Sequence, residues 1–599
     1  MLARSIAASL VLCFQLAYAD VPATAVEPPS NAALAALFDR EFQHDLQEFP
    51  ENATFLGIEG YNDRLRDSSA EAAAQRKAHV KSVLVELAAF DPVKLSAQDR
   101  VSLAMMTDRL RRQDALDALY GDLRFGDGSD SWLQVTPSSG PHVSFQSLAK
   151  ATPFRNARDY DNYLKRLDAL PRAIEQSTQI MQAGMQSGWM PPRAAMVRVP
   201  QQITPFAVAD VTASPLYAPF TRFPASVSAD ERKRIADAGT KVLKDRVQPA
   251  FASFRQFVET QYLPACSNEI ASSKLPGGRR YYDLKVASAT TTDLTAEQIH
   301  AIGLAEVARI GVEMNKVIAS TGFKGTFAEF VQSIRSDPKF FHKSADEMLM
   351  HYRDIAKRAD AALPPLFADL PRLPYGIRAM EPYEGDNAEH YTRGAIDGSR
   401  AGFFEANTNN LQRRATYEME AVLLHEAVPG HHIQTARALE LKGLPQFRRS
   451  AFYIAYGEGW ALYAESLGDE MGMYRDPYSK FGQLSAEMWR ACRLVVDTGL
   501  HALGWTREQS IRYLVDNAGI AESAAIAETD RYILNPGQAL GYKMGELKIK
   551  ALRAKAQAAL GDKFDVRRFH NALLDDGPLP LTLLEARIDD WIAAEKAKQ

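Results

Sequence analysis

The stretch LQRRATYEMEAVLLHEAVPGHH, residues 411–432, contains the motif around which the chain can be interpreted. We expect its first part to form a helix, in which AVLL at 421–424 is apolar enough to be buried. Its last eight residues hold three of the 12 histidines, and Glu426 directly follows His425. A glutamate beside a metal-binding histidine supplies a zinc hydrolase with a ligand and with a base for its water. The stretch therefore predicts a buried helix with a zinc site.

The position of the second histidine departs from the usual H-E-x-x-H spacing. Pro429 cannot donate a hydrogen bond to the carbonyl of His425 and its ring crowds that carbonyl, so the helix must kink or widen. If two residues are looped out, His431 lies one turn from His425. If the helix stays regular, His432 lies about two turns away on the same face. We prefer His431 as the second ligand and keep His432 as the alternative.

The third ligand is expected from a separate segment, YGEGWALYAE at 456–465. Glu458 lies 27 residues (458 − 431) after His431, which leaves room for a turn and a returning helix. Its apolar and aromatic neighbours disfavour the alternative of a solvated surface charge. Glu465 follows seven residues later on the same helical face. We predict that Glu458 binds one zinc ion and that Glu465 orients a ligand histidine from behind. Cobalt or manganese would accept the same ligands.

Three motifs of the chain resemble a known bacterial family. They are H-E-x-x-P-G-H-H, E-G-W-A-L-Y-A-E at 458–465 and P-G-Q-A-x-x-Y at 536–542, and PENATFLG at 50–57 is similar to its N-terminal signature. The family is a secreted one catalogued as a domain of unknown function. More remotely, the motifs resemble gluzincin zinc metallopeptidases of the thimet oligopeptidase, angiotensin-converting enzyme and thermostable carboxypeptidase type. That resemblance implies a helical body with a cleft, a zinc-binding glutamate downstream and a second glutamate a few residues later, as at Glu465.

The same resemblance implies a tyrosine hydroxyl that meets the developing oxyanion. Gly541-Tyr542 is similar to the segment from which oligopeptidases recruit it, so Tyr542 is the expected donor. The alternative is a tyrosine packed in the core with a satisfied hydroxyl. Arg531 and Gln538 are candidates for gripping a substrate carboxylate, because arginine binds carboxylates in a bidentate manner. A structural ion pair is the alternative for Arg531.

One helical face is expected to hold Arg493, Asp497 and His501, which are spaced four residues apart. Asp497 would hold the His501 imidazole in one tautomer, so that His501 could act as a catalytic group at an oxyanion. A structural salt-bridge ladder is the alternative reading of this face.

Helical periodicity dominates the chain, for example at 71–90, 159–186 and 230–261. Strand-like runs lie at 375–380 and 400–408. We predict a mainly α, two-lobed body with a deep cleft and a small antiparallel sheet beside the metal helix. The edge of this sheet would receive an extended peptide, or the strands form a plain structural hairpin. The lobes would be a helical N-terminal half, 33–290, and a catalytic half, 291–599.

The N-terminus is typical of an exported protein. Residues 1–19 have the charged start, apolar stretch and Ala-Tyr-Ala end of a signal peptide, and 20–32 form a Pro-rich flexible lead-in. A membrane anchor is the alternative, and the bulky Leu12 disfavours a lipoprotein site at Cys13. No later segment predicts membrane insertion. The remaining cysteines, Cys266 and Cys492, are expected to be buried free thiols, with a single bridge as the alternative.

These features favour a zinc-dependent peptidase that acts on short peptides in the periplasm, with Glu426 as the general base. A zinc hydrolase of another amide or ester is the second hypothesis. A non-catalytic periplasmic protein that binds metal or peptide is the third. The net charge of −4 and the lack of a dense Lys/Arg block disfavour nucleic acid as a partner. The sequence predicts neither the position of cleavage nor an oligomeric state.

Overall fold

A computed structural model describes residues 31–120, 131–381, 385, 388–395 and 397–598. The predicted signal peptide, 1–19, and most of the predicted lead-in, 20–32, lie outside these residues. The described chain is mainly helical with one small sheet, which confirms the predicted fold class. Within the described ranges, no helix combines the length and the apolar character needed to cross a membrane.

The first part of the chain is built from helices. They are Ala32–Glu48 (α1), Pro50–Leu56 (α2), Ala70–Ala88 (α3), Ala97–Tyr120 (α4), Pro141–Ala151 (α5), Ala157–Ser187 (α6), Arg193–Met196 (α7), Val199–Ile203 (α8), Ala229–Val242 (α9), Gln248–Phe257 (α10), Leu263–Ala265 (α11) and Gly278–Thr290 (α12). The segment predicted at 230–261 continues from α9 through α10 by way of π-helical turns at Leu243–Val247 and Val258–Tyr262. The predicted helical periodicity at 71–90 and 159–186 corresponds to α3 and α6.

The second part contains the sheet and further helices. They are Ala296–Ser320 (α13), Phe327–Ser336 (α14), Ala345–Ala362 (α15), Tyr375–Ala379 (β1), His390–Thr392 (β2), Gly402–Ala406 (β3), Met419–Glu426 (α16), His431–Glu440 (α17), Gln446–Arg449 (α18), Ile454–Leu467 (α19), Pro477–Ala502 (α20), Arg507–Ala518 (α21), Glu522–Leu534 (α22), Leu540–Leu560 (α23), Val566–Leu574 (α24) and Leu581–Ala597 (α25). Side-chain caps at Thr295, Thr326 and Thr506 begin α13, α14 and α21, because each accepts a hydrogen bond from an otherwise free backbone N–H.

The sheet differs from its prediction in direction. Its strand order is β1-β3-β2, with β3 parallel to β1 and antiparallel to β2. The two strand-like runs therefore pair as parallel neighbours, and the predicted antiparallel sheet is a mixed one. The chain between β1 and β3 contributes the short strand β2, which was not predicted from the sequence. β2 is an outer strand of this sheet.

The helix that leads into the motif begins later than predicted. Residues 411–413 and 416–418 form 3₁₀ turns, and α16 starts at Met419. Ala415 between these turns is extended and bridges to Phe341, so a helix cannot run through it. Ala421, Leu423 and Leu424 are buried as expected.

Two large apolar cores hold the molecule together. One joins α1, α3 and α4 to α15, α16, α19 and the C-terminal helices, and the other joins α6, α9 and α10 to α13 and α20. Both cores include residues from either side of position 290, so the two predicted halves share their cores. Cys266 and Cys492 are buried free thiols, as predicted.

A deep cleft, as expected, opens among the helices. Its volume is about 1980 Å³, and the residues that line it come from α1, α4, α5, α16, α17, α19, α20, α22 and α23. Residues of the predicted metal helix therefore line a cleft.

Candidate metal centre

The motif helix is broken at Pro429, as the sequence predicted. α16 ends at Glu426, and α17 begins at His431 after a cis peptide bond between Val428 and Pro429. The N–H of His432 donates to the carbonyl of Ala427 at 3.0 Å, five residues back, so the backbone is widened across the break. This local change brings His431 back toward His425.

Neighbouring groups hold the break in place. A Cβ on Gly430 would lie 1.9 Å from the carbonyl oxygen of His425, so only glycine fits there. The indole Nε1 of the buried Trp460 donates to the carbonyl of Pro429 at 2.9 Å. These contacts satisfy a backbone group that the helix can no longer satisfy.

Glu458 reaches the site because two helices cross closely. If Gly459 in α19 carried a Cβ, that atom would lie only 2.4 Å from the Cα of Gly545 in α23. Glycine at both positions lets the two backbones approach to a distance that larger residues forbid. Glu458, beside Gly459, then lines the cleft with His425 and His431.

The geometry of His425, His431 and Glu458 fits a tetrahedral metal. Nε2 of each histidine lies 3.4 Å from Oε2 of Glu458. Two ligands that are each about 2.0–2.1 Å from a tetrahedral zinc are about 3.3 Å apart. The two imidazole planes are 87° to one another, with centroids 4.9 Å apart. Because a histidine binds a metal in its ring plane, crossed planes allow both nitrogens to point to one ion.

The charges at the site also favour a cation. Burial alone would raise the pKa of Glu458, but His425 and His431 hold it well below its usual range. Burial alone would lower the pKa of His425, whereas hydrogen bonds to Glu458 and Glu465 raise it to about 9. Three carboxylates, including Glu426, thus act on one buried imidazole. A divalent ion would be stabilised by the same field, and the donor set of two histidines and one carboxylate is a common one for zinc.

Glu465 lies behind His425, as predicted from its spacing. Its Oε1 is 2.7 Å from Nδ1 of His425, so it fixes the ring and leaves Nε2 free to face the cleft. Arg490 of α20 lies 3.3 Å from the same Oε1. No motif spacing in the sequence indicates Arg490, because it lies on a separate helix.

His432 points away from the group. Its Nδ1 is 2.9 Å from the hydroxyl of Tyr391, and its ring packs against Tyr375 with centroids 4.8 Å apart. Burial lowers the pKa of His432 to about 4, so the ring stays neutral. The structure therefore places His431 with His425 and Glu458, while His432 joins α17 to the sheet.

Glu426 and Tyr542 both line the cleft. Oε1 of Glu426 is 4.0 Å from Nε2 of His425, which places its carboxylate beside the group without joining it. Burial raises the pKa of Tyr542, so its hydroxyl keeps its proton. The guanidinium of Arg493 stacks over the Tyr542 ring at 4.3 Å. The cleft wall therefore presents a second carboxylate beside His425 and a protonated tyrosine hydroxyl on which the charge of Glu458 acts.

The prediction for His501 and Asp497 is corrected by the structure. Nδ1 of the fully buried His501 accepts from the backbone N–H of Ser272 at 3.0 Å, and its Nε2 donates to the carbonyl of Tyr532 at 3.0 Å. The carboxylate of Asp497 instead accepts from the hydroxyl of Tyr282 at 2.8 Å. Both ring nitrogens are used inside the core, so His501 is a structural residue.

Arg531 and Gln538 are bonded to each other. Nη1 of Arg531 donates to Oε1 of Gln538 at 2.7 Å, and its Nε and Nη2 donate to Glu528. Arg531 lines the cleft, but its charge is already paired. The structure therefore corrects the predicted grip on a substrate carboxylate to the structural ion pair that was its alternative.

A second group of two histidines and a glutamate lies on α1 and α3. His44 and His79 stack with centroids 3.7 Å apart and planes only 14° to one another, and Nε2 of His79 is 2.7 Å from Oε2 of Glu41. Because the two ring planes are nearly parallel, the nitrogens of His44 and His79 do not point to a common ion. The 2.7 Å distance between His79 and Glu41 is that of a hydrogen bond. Its geometry is that of a hydrogen-bonded stack.

The fold and the site define a large helical protein with a candidate metal centre in a deep cleft. The chain belongs to the family described as bacterial protein of unknown function (DUF885), whose model matches residues 50–588. No curated protein matches the chain.

Two solved structures are similar to the chain. One, from Colwellia psychrerythraea and provisionally described as a lipoprotein, has 28% sequence identity and a TM-score of 0.88, and covers 94% of this chain and 99% of its own. The other, from Shewanella oneidensis and provisionally described as a lipoprotein of unknown function, has 17% identity and a TM-score of 0.63, and covers 93% and 99%. The second shows the fold alone.

Proposed function

We propose that the protein is a zinc-dependent peptidase that hydrolyses short peptides. The observation that supports this most directly is the convergence of His425, His431 and Glu458, with each histidine Nε2 3.4 Å from one glutamate oxygen. Glu426 lies beside this group on the cleft wall, where a structural metal site would need no base. The proposal also includes the resemblance of the HExxPGHH motif, and of the pair Glu458 and Glu465, to the gluzincin metallopeptidases.

The residues of the chain have separate roles in this proposal. His425, His431 and Glu458 would hold zinc, which would polarise a carbonyl and bring the pKa of water toward about 7. Glu426 accepts the proton of the attacking water and passes it to the leaving amine. The Tyr542 hydroxyl, which keeps its proton, donates to the developing oxyanion. Glu465 keeps the His425 ring in one orientation.

The size and lining of the cleft support a peptide as substrate. Its volume of about 1980 Å³ exceeds the roughly 300–1,000 Å³ of small-molecule pockets. Residues 388–391, which include part of the outer strand β2, line this cleft close to α17. In the described sheet β2 has a neighbouring strand on one side only, so an extended peptide would pair with its other side by strand addition.

We also propose that the protein is exported to the cell envelope. The predicted signal peptide at 1–19 and the lipoprotein descriptions of the two similar structures support this location.

The test replaces Glu426 by Gln and assays a mixed library of short peptides together with acyl esters. We expect turnover to fall by about 10²–10⁴-fold while bound zinc is unchanged, because only the proton acceptor is lost. The matched control is Glu420→Gln on the same helix, where Glu420 pairs with Arg358. A fully active Glu426→Gln protein would contradict the role of Glu426. Hydrolysis of esters alone would shift the proposal to a different zinc hydrolase, and no zinc-dependent turnover would favour a binding protein.

A further inference from the structure

One arginine of the cleft has no counter-ion among the described residues. Arg393 directly follows β2, lines the cleft and makes no hydrogen bond or ion pair with any residue that the structure describes. Tyr391, two residues earlier, bonds to His432, which is next to His431. The Arg393 side chain therefore lies on a wall that is continuous with the candidate metal centre.

The charges around Arg393 do not neutralise it. The positive charge of Arg400 disfavours protonation of Arg393. Arg400 itself donates hydrogen bonds to the carbonyls of Phe55 and Ala151. The buried Glu405 is engaged elsewhere: Arg378 donates to it at 2.7 Å. Lys150, which lines the cleft, is 3.9 Å from Glu405. Among these described side chains, cations therefore outnumber carboxylates.

An enclosed guanidinium without an anion is unfavourable, because burial removes the water that would stabilise its charge. Burial and the nearby Arg400 both lower the pKa of Arg393. A chain that only needed to fold would be more stable with this cation paired. A carboxylate from a bound molecule would supply the missing charge through two parallel hydrogen bonds.

We propose that Arg393 forms a subsite that binds a carboxylate of the substrate. This inference rests on the proposed peptidase function, since the substrate is taken to be a peptide that enters the same cleft. The carboxylate is either the C-terminus of the peptide or an Asp or Glu side chain. Both bind a guanidinium in the same way, so the experiment must separate them.

The test measures binding, which does not require turnover. Zinc-loaded Glu426→Gln protein is titrated by calorimetry with N-acetyl-tetraalanine, with its C-terminal amide and with N-acetyl-Ala-Glu-Ala-Ala amide. We expect one carboxylate-bearing peptide to bind about 10- to 100-fold more tightly than the uncharged amide. The free C-terminus identifies a terminal-carboxylate subsite, and the glutamate peptide identifies a side-chain subsite.

Arg393→Gln in the same protein should remove this difference. Arg198→Gln is the matched control, because Arg198 is an exposed arginine of the same cleft, and it should keep the difference. A thermal melt and the zinc content show whether each variant is folded. Equal affinity for all three peptides, no measurable binding, or a difference that survives Arg393→Gln would overturn the subsite. Binding that depends on Arg393 in a protein whose parent hydrolyses no peptide would instead overturn the peptidase proposal and leave the subsite.

Discussion

Two groups of the molecule have the same composition, two histidines and one glutamate, but different geometry. In the cleft, His425 and His431 have crossed ring planes and share one glutamate oxygen at 3.4 Å. On α1 and α3, His44 and His79 are stacked and only His79 contacts the glutamate, at 2.7 Å. Residue types alone would rank the two groups equally.

The difference arises from what surrounds each group. The cleft group is held by a broken helix, a close crossing of α19 and α23, and Glu465 behind His425. In the other group Arg40 donates to Glu41, so the carboxylate already has a cation partner. A metal site therefore requires fixed, converging donors in addition to suitable residues.

The strongest test of this comparison is metal content. We expect about one zinc per chain, and His425→Ala, His431→Ala or Glu458→Ala should lower zinc affinity by more than about 100-fold, since loss of an outer partner alone costs about 10–100-fold. His79→Ala should keep the metal, because the stacked group lacks converging donors. Mass spectrometry of the purified mature protein measures both. Zinc lost equally in His79→Ala would show that the geometric distinction is wrong.

A smaller effect is expected behind the ligands. Glu465→Gln should weaken zinc binding by about 10–100-fold, because the His425 ring loses the carboxylate that orients it and increases its basicity. Competition with a chromophoric chelator gives the affinity. Glu470→Gln, which removes only an ion pair with Arg553 just beyond the same helix, is the control and should leave the affinity unchanged. An unchanged affinity in Glu465→Gln would remove Glu465 from the site.

The smallest effect concerns the stacked pair. Burial and the neighbouring His79 lower the pKa of His44 below about 6.5. The unfolded chain then binds the proton more tightly, so the free energy of unfolding is unaffected above about pH 6.5 and decreases as the pH falls from there toward the lowered pKa. Melting temperatures between about pH 7.5 and 5.5 should fall by about 1 °C more in the wild type than in His44→Gln. Parallel curves for the two proteins would show that His44 does not contribute.

Much of the site follows from local rules of the backbone. Pro429 and Gly430 predict the break in the helix, and the break favours His431 over His432. The seven-residue spacing of Glu458 and Glu465 predicts one helical face, and the structure places both beside His425. These predictions concern residues close in sequence, where hydrogen-bond geometry and helical period leave few choices.

Predictions that depended on distant neighbours were less successful. The spacing of Asp497 and His501 put them on one face, but Tyr282 and Ser272, from distant parts of the chain, take their hydrogen bonds. The strand runs were recognised, but their parallel direction depends on how the chain between them folds back as β2.

By itself, the sequence determined the mainly helical class and the broken motif helix, because helical periodicity and the effect of Pro429 act within a few residues. Only the tertiary structure decided which donors converge, which cleft arginine has no counter-ion among the described residues and which histidine group resembles a metal site. Those features depend on helices that approach from distant parts of the chain. The close crossing at Gly459 and Gly545 is one example, because the need for glycine at each position arises only from contact with the other helix.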